Sequence, residues 1–479
     1  MGRVLAAWLA IGLGLGAAPA SAQPSTLPFP PPPPAHAARL ARDLLAGLAP
    51  ALEGLDGAAR VVFAVQVESD APSAGRAETW LADTVEAAWR AGGWPLTRAP
   101  ADGAEATHRL EVLVRVQAPS HVEAEARLRA LPTSFWESLR MPEGAVLGTS
   151  TAEVPLNLEL RTLFGLGRRT VRFERLRLVA LAGLPDALST APLLDLALVT
   201  PEGAGDQRVV ALQPDRLLVL RWAHGGLALE ATVALAAAPS EARVRQPFGR
   251  LVVTTRPDGR EAVLAASSDR AAPELYDLTL GPEPAAVALA TLPPAWPLYA
   301  SGVDRWLVAP WPAGVDVLGG PSREMALVDG RAAFREVGDL EPAYDLRTYP
   351  LFAATSPAWD PHFAVAHPGG DVAVWGANAP EERFVLDGAG TVSVASDLDQ
   401  DGRPELLVSS SAVTGPDRLS FFELTDASEG AALRWSRPVP DPVTAALCGD
   451  LDGDGYAELL VATWSPERAG LWVVAPNER

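Results

Sequence analysis

Near its C-terminal end the chain carries Asp397-Leu-Asp-Gln-Asp-Gly-Arg-Pro-Glu405-Leu-Leu-Val408, with three aspartates at alternate positions, a glycine and a further carboxylate ahead of an apolar run. The pattern returns as Asp450-Leu-Asp-Gly-Asp-Gly-Tyr-Ala-Glu458-Leu-Leu-Val461, 450 − 397 = 53 residues later. The copies agree at 9 of 12 positions and differ at Gln400/Gly453, Arg403/Tyr456 and Pro404/Ala457. Four carboxylates within nine residues repel one another at neutral pH unless a cation sits among them. Hard oxygen donors gathered in a sharp turn suit calcium, so two Ca²⁺ sites are expected. A solvated acidic turn is the alternative, and the close repeat disfavours it. An EF-hand is excluded, because its twelfth position must be a bidentate Glu between helices. That position is Val408 or Val461 here, and both runs continue as strands.

The two loops resemble the FG-GAP/VCBS repeat of integrin α-subunit propellers and many secreted bacterial proteins. In that family the loop joins two strands of a propeller blade and holds one Ca²⁺. The resemblance implies ligands Asp397, Asp399, Asp401, the carbonyl of Arg403, and Glu405 in the first loop. In the second it implies Asp450, Asp452, Asp454, the carbonyl of Tyr456, and Glu458. The family more often has Asp where this chain has Glu405 and Glu458. Gly402 and Gly455 are expected to take the positive-φ turn that folds the loop back on the ion.

The strands that must hold such loops are legible. Between the loops lie strand candidates at 405–412, 419–425 and 432–436, and a fourth at 444–448 leads into the second loop. Four strands per period of roughly 45–50 residues describe a propeller blade. Residues 185–479, rich in short strands and Gly turns, are expected to form a β-propeller of six or seven blades. Arg256-Pro-Asp-Gly-Arg-Glu261 reads as a decayed loop. The last blade is short of strands, so closing the ring requires one from the N-terminal side, which also removes an exposed edge.

The N-terminal third is different. Residues 1–22 read as a secretory signal peptide: Arg3, an apolar run, then Ala20-Ser-Ala22. Residues 23–34 form a proline-rich linker. Over 35–150 the pattern is α/β. Leu40, Leu44, Leu48 and Leu52 mark a helix that Pro50 is expected to kink or end. A strand over 60–67, a helix over 74–91 and alternating strands over 110–116 and 121–131 follow. This order resembles the small α/β domain of TolB-like periplasmic proteins and of CsgG-like curli-secretion proteins, which implies a partner-binding module. Residues 151–184 are expected to be a β-rich connector, with Val154, Leu156, Leu158 and Leu160 alternating.

Composition narrows the function. With 39 basic and 59 acidic residues, net charge −20, and no Lys/Arg cluster, the composition argues against nucleic acid and anionic lipid as partners. Beyond the signal region no apolar run is long enough for a membrane span. Cys448 is the single cysteine, so no internal disulfide forms. His36, His108, His121, His224, His362 and His367 make no zinc motif, although His362 and His367 lie near Asp360 and Asp371. No nucleophile elbow, P-loop or post-strand dinucleotide motif is present. The expectation is a periplasmic or extracellular, non-enzymatic binding or adhesion-type protein with two structural calcium loops. Its partner is an envelope or extracellular protein or a glycan. The alternatives are a propeller enzyme acting on polysaccharide, as lyase or hydrolase, and an envelope-assembly scaffold.

Overall fold

In the computed structural model residues 35–475 are described, apart from 56–58, 69–73, 95–96, 99–105, 118–120, 157, 165–175, 201–206, 224, 241–247, 257–259, 280–284, 312–317, 329–330, 344, 350–361, 368–369, 377–378, 397, 399–404, 411, 413, 427–429 and 453–455. The signal peptide and linker expected over 1–34 therefore lie outside the described residues.

Helix α1 (Ala35–Glu53) buries Leu40, Leu44, Leu48 and Leu52 as one stripe. It continues past Pro50, where a kink or an end was expected, to Glu53. Leu52 is fully buried, and its packing holds the last turn. Strand β1 (Arg60–Glu68) and helix α2 (Ala74–Ala91) follow. Strand β2 (Thr97–Arg98) and strand β3 (His108–Gln117) both pair parallel to β1. Strand β4 (His121–Ala130) pairs antiparallel to β3 from His108↔Ala130 to Gln117↔His121. The β4–β5 connection carries helix α3 (Phe135–Arg140) before strand β5 (Ala145–Pro155), giving the sheet order β2-β1-β3-β4-β5. On β3 and β4 alternate residues (Leu110, Val112, Val114; Val122, Ala124, Ala126, Leu128) join the core beneath the helices. Their neighbours carry ion pairs such as Arg115–Glu68 at 3.0 Å and Arg129–Glu111 at 2.8 Å. One face is apolar and the other is salt-laced, which is why the helices share a side.

The expected connector over 151–184 is divided between two bodies. β5 runs to Pro155 inside the α/β sheet, and helix α4 (Leu158–Phe164) follows where alternating strand residues were expected. Leu160, Leu163 and Phe164 are all fully buried at i, i+3 and i+4, so the helical period wins over the two-residue one. The α/β unit thus extends beyond residue 150. Strand β6 (Arg177–Ala180) belongs instead to the second body.

That body consists of six four-stranded antiparallel sheets. Blade 1 spans 195–234, blade 2 249–291, blade 3 295–343, blade 4 345–387, blade 5 393–439, and blade 6 443–475 with β6 as its fourth strand. The first strands of successive blades touch in turn, and that of blade 6 (Val443–Gly449) touches that of blade 1 (Asp195–Val199). A closed ring of such sheets is the arrangement of a β-propeller. Apolar clusters built from adjacent sheets fill the junctions: Val210 of blade 1 with Val263 of blade 2, and Trp296 of blade 3 with Leu346 of blade 4.

Candidate metal centre

The acidic loops join the first and second strands of blades 5 and 6. In each, the terminal Glu opens the second strand, Glu405 opposite Ser396 and Glu458 opposite Gly449. The two copies share one internal hydrogen bond. The backbone N–H of Leu398 donates to Glu405 Oε2 at 2.6 Å, and that of Leu451 donates to Glu458 Oε2 at 2.8 Å. The length of the Glu side chain suits this double role. The residue must both pair in the strand and reach back to the loop backbone seven positions earlier. Leu398 and Leu451 point inward and are buried in the inter-blade cores, fixing the loop on its blade.

In the second loop Asp450, Asp452 and Glu458 each offer a carboxylate oxygen, and these oxygens lie within 4.8 Å of one another. Asp450 is buried, Glu458 half-buried and Asp452 exposed, so the cluster opens to solvent on one side. Tyr456 is half-buried beside it. Asp454 and Gly455 lie outside the described residues, as do Asp397, Asp399, Asp401, Gly402 and Arg403 of the first loop. Of the first set the structure places Glu405 alone, almost fully buried. The donors that converge are all carboxylate oxygens, which suits a hard divalent cation and offers nothing to a soft one. Among the described residues this is the one place where three potential ligands meet.

Several other polar groups the sequence singles out, and one buried arginine, have structural neighbours. His367 lies opposite Asp371 across a strand pair, while Asp360 and the side chain of His362 lie outside the described residues. His121 stands 3.9 Å from Glu153. On the inner rim, buried Arg250 of blade 2 donates to the carbonyl oxygens of Leu298 at 2.7 Å and Leu346 at 3.0 Å, and stands 3.5 Å from Asp345. Its guanidinium ties three blades together.

One surface was not anticipated. Helix α3 buries none of its residues. Phe135, Trp136, Leu139 and Met141, with Val146 and Leu147 of β5, are 45–69% exposed. The helix is nonetheless well capped. Ser134 Oγ accepts from Glu137 N at 3.2 Å, and Glu137 accepts from the N–H and hydroxyl of Thr133, both at 2.8 Å. The Ser134-Phe-Trp-Glu137 capping box was the available signal in the sequence.

No protein-family model matches the chain, and no curated protein is similar to it. Among solved structures, a chain from the crystal structure of BBS1N in complex with ARL6DN, soaked with mercury, is 14% identical with a TM-score of 0.36, over 64% of this chain and 98% of that one. A lead-soaked crystal of the same complex gives 14% identity and a TM-score of 0.33, over 60% and 80%. Both likenesses are remote, and the propeller stands on its own closed ring of sheets. Among the described residues no helix is long and apolar enough to cross a membrane.

Proposed function

We propose that the chain is an exported, non-enzymatic binding protein of the periplasm or cell exterior. The propeller is its scaffold, carrying two structural calcium loops of the FG-GAP kind. The α/β unit docks on an envelope or extracellular protein. The observation that carries this reading is the surface at α3: six large apolar side chains exposed within thirteen residues, three on the helix, one at its C-cap and two on β5, with the helix held by its caps rather than by packing. Isolated helices this short are unstable in water, and exposed apolar clusters of this size mark interaction sites. The convergent carboxylates of Asp450, Asp452 and Glu458 support the calcium reading, with two ions helping to hold blades 5 and 6.

The test compares the full chain with a Phe135→Ser/Trp136→Ser variant as bait for envelope proteins. Because neither side chain is buried, the variant should fold with stability within about 0.5 kcal/mol of wild type. The expected result is a protein captured by the wild type and lost with the variant. Identical capture by both would overturn the docking assignment.

A further inference from the structure

Five of the six junctions between blades are joined by the chain running directly from one blade to the next; the sixth, between blade 6 and blade 1, is not. The C-terminal blade is held to the first one by the segment that precedes blade 1. Strand β6 pairs with the last strand of the chain (Arg468–Ala475) only from Trp472↔Ala180 to Ala475↔Arg177. One further bond, Leu181 N to Leu471 O at 2.9 Å, extends the contact. The fourth strands of the other five blades run 7 to 13 residues, against 4 here. Arg177, Val179 and Ala180 are exposed.

The ends of this segment are anchored by fully buried groups, while between them Leu178, Leu181 and Leu184 pack only partly buried against the same cores. At one end buried Leu176 lies in the core of blades 4 to 6, and the indole Nε1 of Trp435 in blade 5 donates to its carbonyl at 3.2 Å. At the other end Leu188 and Leu193 fill the core between blades 6 and 1, with Leu196, Val209, Leu451 and Leu460. There Gln213 of blade 1, fully buried, donates from Nε2 to the carbonyls of Ala187 at 2.9 Å and Ala191 at 3.1 Å. Arg216 donates to Thr190 Oγ1 at 3.2 Å. The blades meet closely at this junction: a Cβ at Gly449 would lie 1.9 Å from Leu198 Cδ1.

We propose that residues 176–191 are a strap across the blade 6–blade 1 seam, and that the ring opens there, by release of β6, before any other junction yields. Opening at this seam requires the loss of one four-residue ladder, whereas every other pair of neighbouring blades stays tethered by a direct chain connection, and it frees the longest closed loop of chain, from blade 1 round to blade 6. Release exposes the Leu471–Ala475 backbone edge, an apolar strand able to accept another strand.

Native-state hydrogen exchange on the full chain tests this. Amides of 177–181 and 471–475 should exchange at least tenfold faster than those of Phe363–Ala366 and Val372–Val374 in blade 4. Equal or slower exchange at the seam would overturn the proposal. A Val179→Cys/Val473→Cys pair in a Cys448→Ala background joins directly opposed residues. Oxidised, it should suppress the seam exchange; reduced, it should restore it; identical rates in both forms would count against the strap. Should the bridge not form, Gln213→Leu removes two strap bonds. It should then speed exchange over 185–191 about tenfold with blade 4 unchanged. An unaltered strap in that variant would refute the assignment.

Discussion

Glu458→Gln separates a cation cage from a simple turn clasp, because the two readings give effects of opposite sign. The amide keeps an oxygen to accept from Leu451 N, the bond made at 2.8 Å in the parent, and removes one negative charge. That charge lies within 4.8 Å of a carboxylate oxygen on each of Asp450 and Asp452. Without a cation, each repulsion at this separation costs about 0.9 kcal/mol at the dielectric constant of water and about 3.5 kcal/mol at an effective value near 20. Exposed Asp452 belongs toward the lower figure and buried Asp450 toward the upper. In excess chelator the variant, relieved of both repulsions, should therefore be more stable than wild type, by roughly 2–4 kcal/mol. In millimolar calcium the difference should shift toward wild type by up to about 2.7 kcal/mol, the gain from a site at a hundredfold excess over Kd, since the variant loses an ionic ligand. Urea unfolding of both proteins in both buffers reads the four midpoints. Equal destabilisation of the variant with and without calcium would refute the cage and leave Glu458 as a hydrogen-bonding clasp.

Two further outcomes follow from the geometry. Arg250→Met should lower unfolding free energy by about 3 kcal/mol, because buried carbonyls of Leu298 and Leu346 lose a charged donor; a denaturant midpoint shift under a quarter of that would show the inner rim rearranging. At α3, hydrogen bonds from the N–H and then the hydroxyl of Thr133 hold the Glu137 carboxyl below its ordinary value, so the cap is intact above the ordinary carboxylate range and is lost as pH falls through the lowered folded value. Titrating the Thr133 amide by NMR should show a midpoint below that of an unstructured Glu; a midpoint at the ordinary value would remove the cap.

Much of the propeller was readable because its repeat leaves residues in equivalent places. The decayed loop shows this well. Glu261 opens the second strand of blade 2 opposite Thr255, the position held by Glu405 and Glu458 in their blades. The need for a strand from the N-terminal side was also legible, from the strand shortage after Glu458. Which strand it was could not be read, since four residues carry no period to detect. Leu158 and Leu160 continued a two-residue alternation from Val154, and only packing against α1 and α2 selected the helix. Helix α3 escaped notice because its apolar residues serve no core, so no amphipathic stripe announced it. For the first acidic loop the sequence remains the fuller source, with Glu405 and Leu398 as its structural anchors.

Blades 2 and 3 handle the connection between their first and second strands differently. In blade 2 the carboxylate of Glu261 accepts from Thr200 N of blade 1 at 2.6 Å, so its charge is spent on a neighbouring backbone. Blade 3 shortens the connection to a tight turn in which Asp304 takes a φ of 50°, a conformation Asp tolerates better than most residues. Asp304 lies 3.4 Å from Arg256 in the decayed loop of blade 2. There an arginine supplies the positive charge that a bound cation would supply in the proposed calcium loops. Blades 5 and 6 keep the acidic loops, and the second sets Leu451 in the core shared with Leu188 and Leu193 of the strap. An ion ordering that loop would reinforce the one junction not secured by a direct chain connection. At a seam closed by a four-residue strand, an ion that binds only the assembled loop would add stability without lengthening the strap.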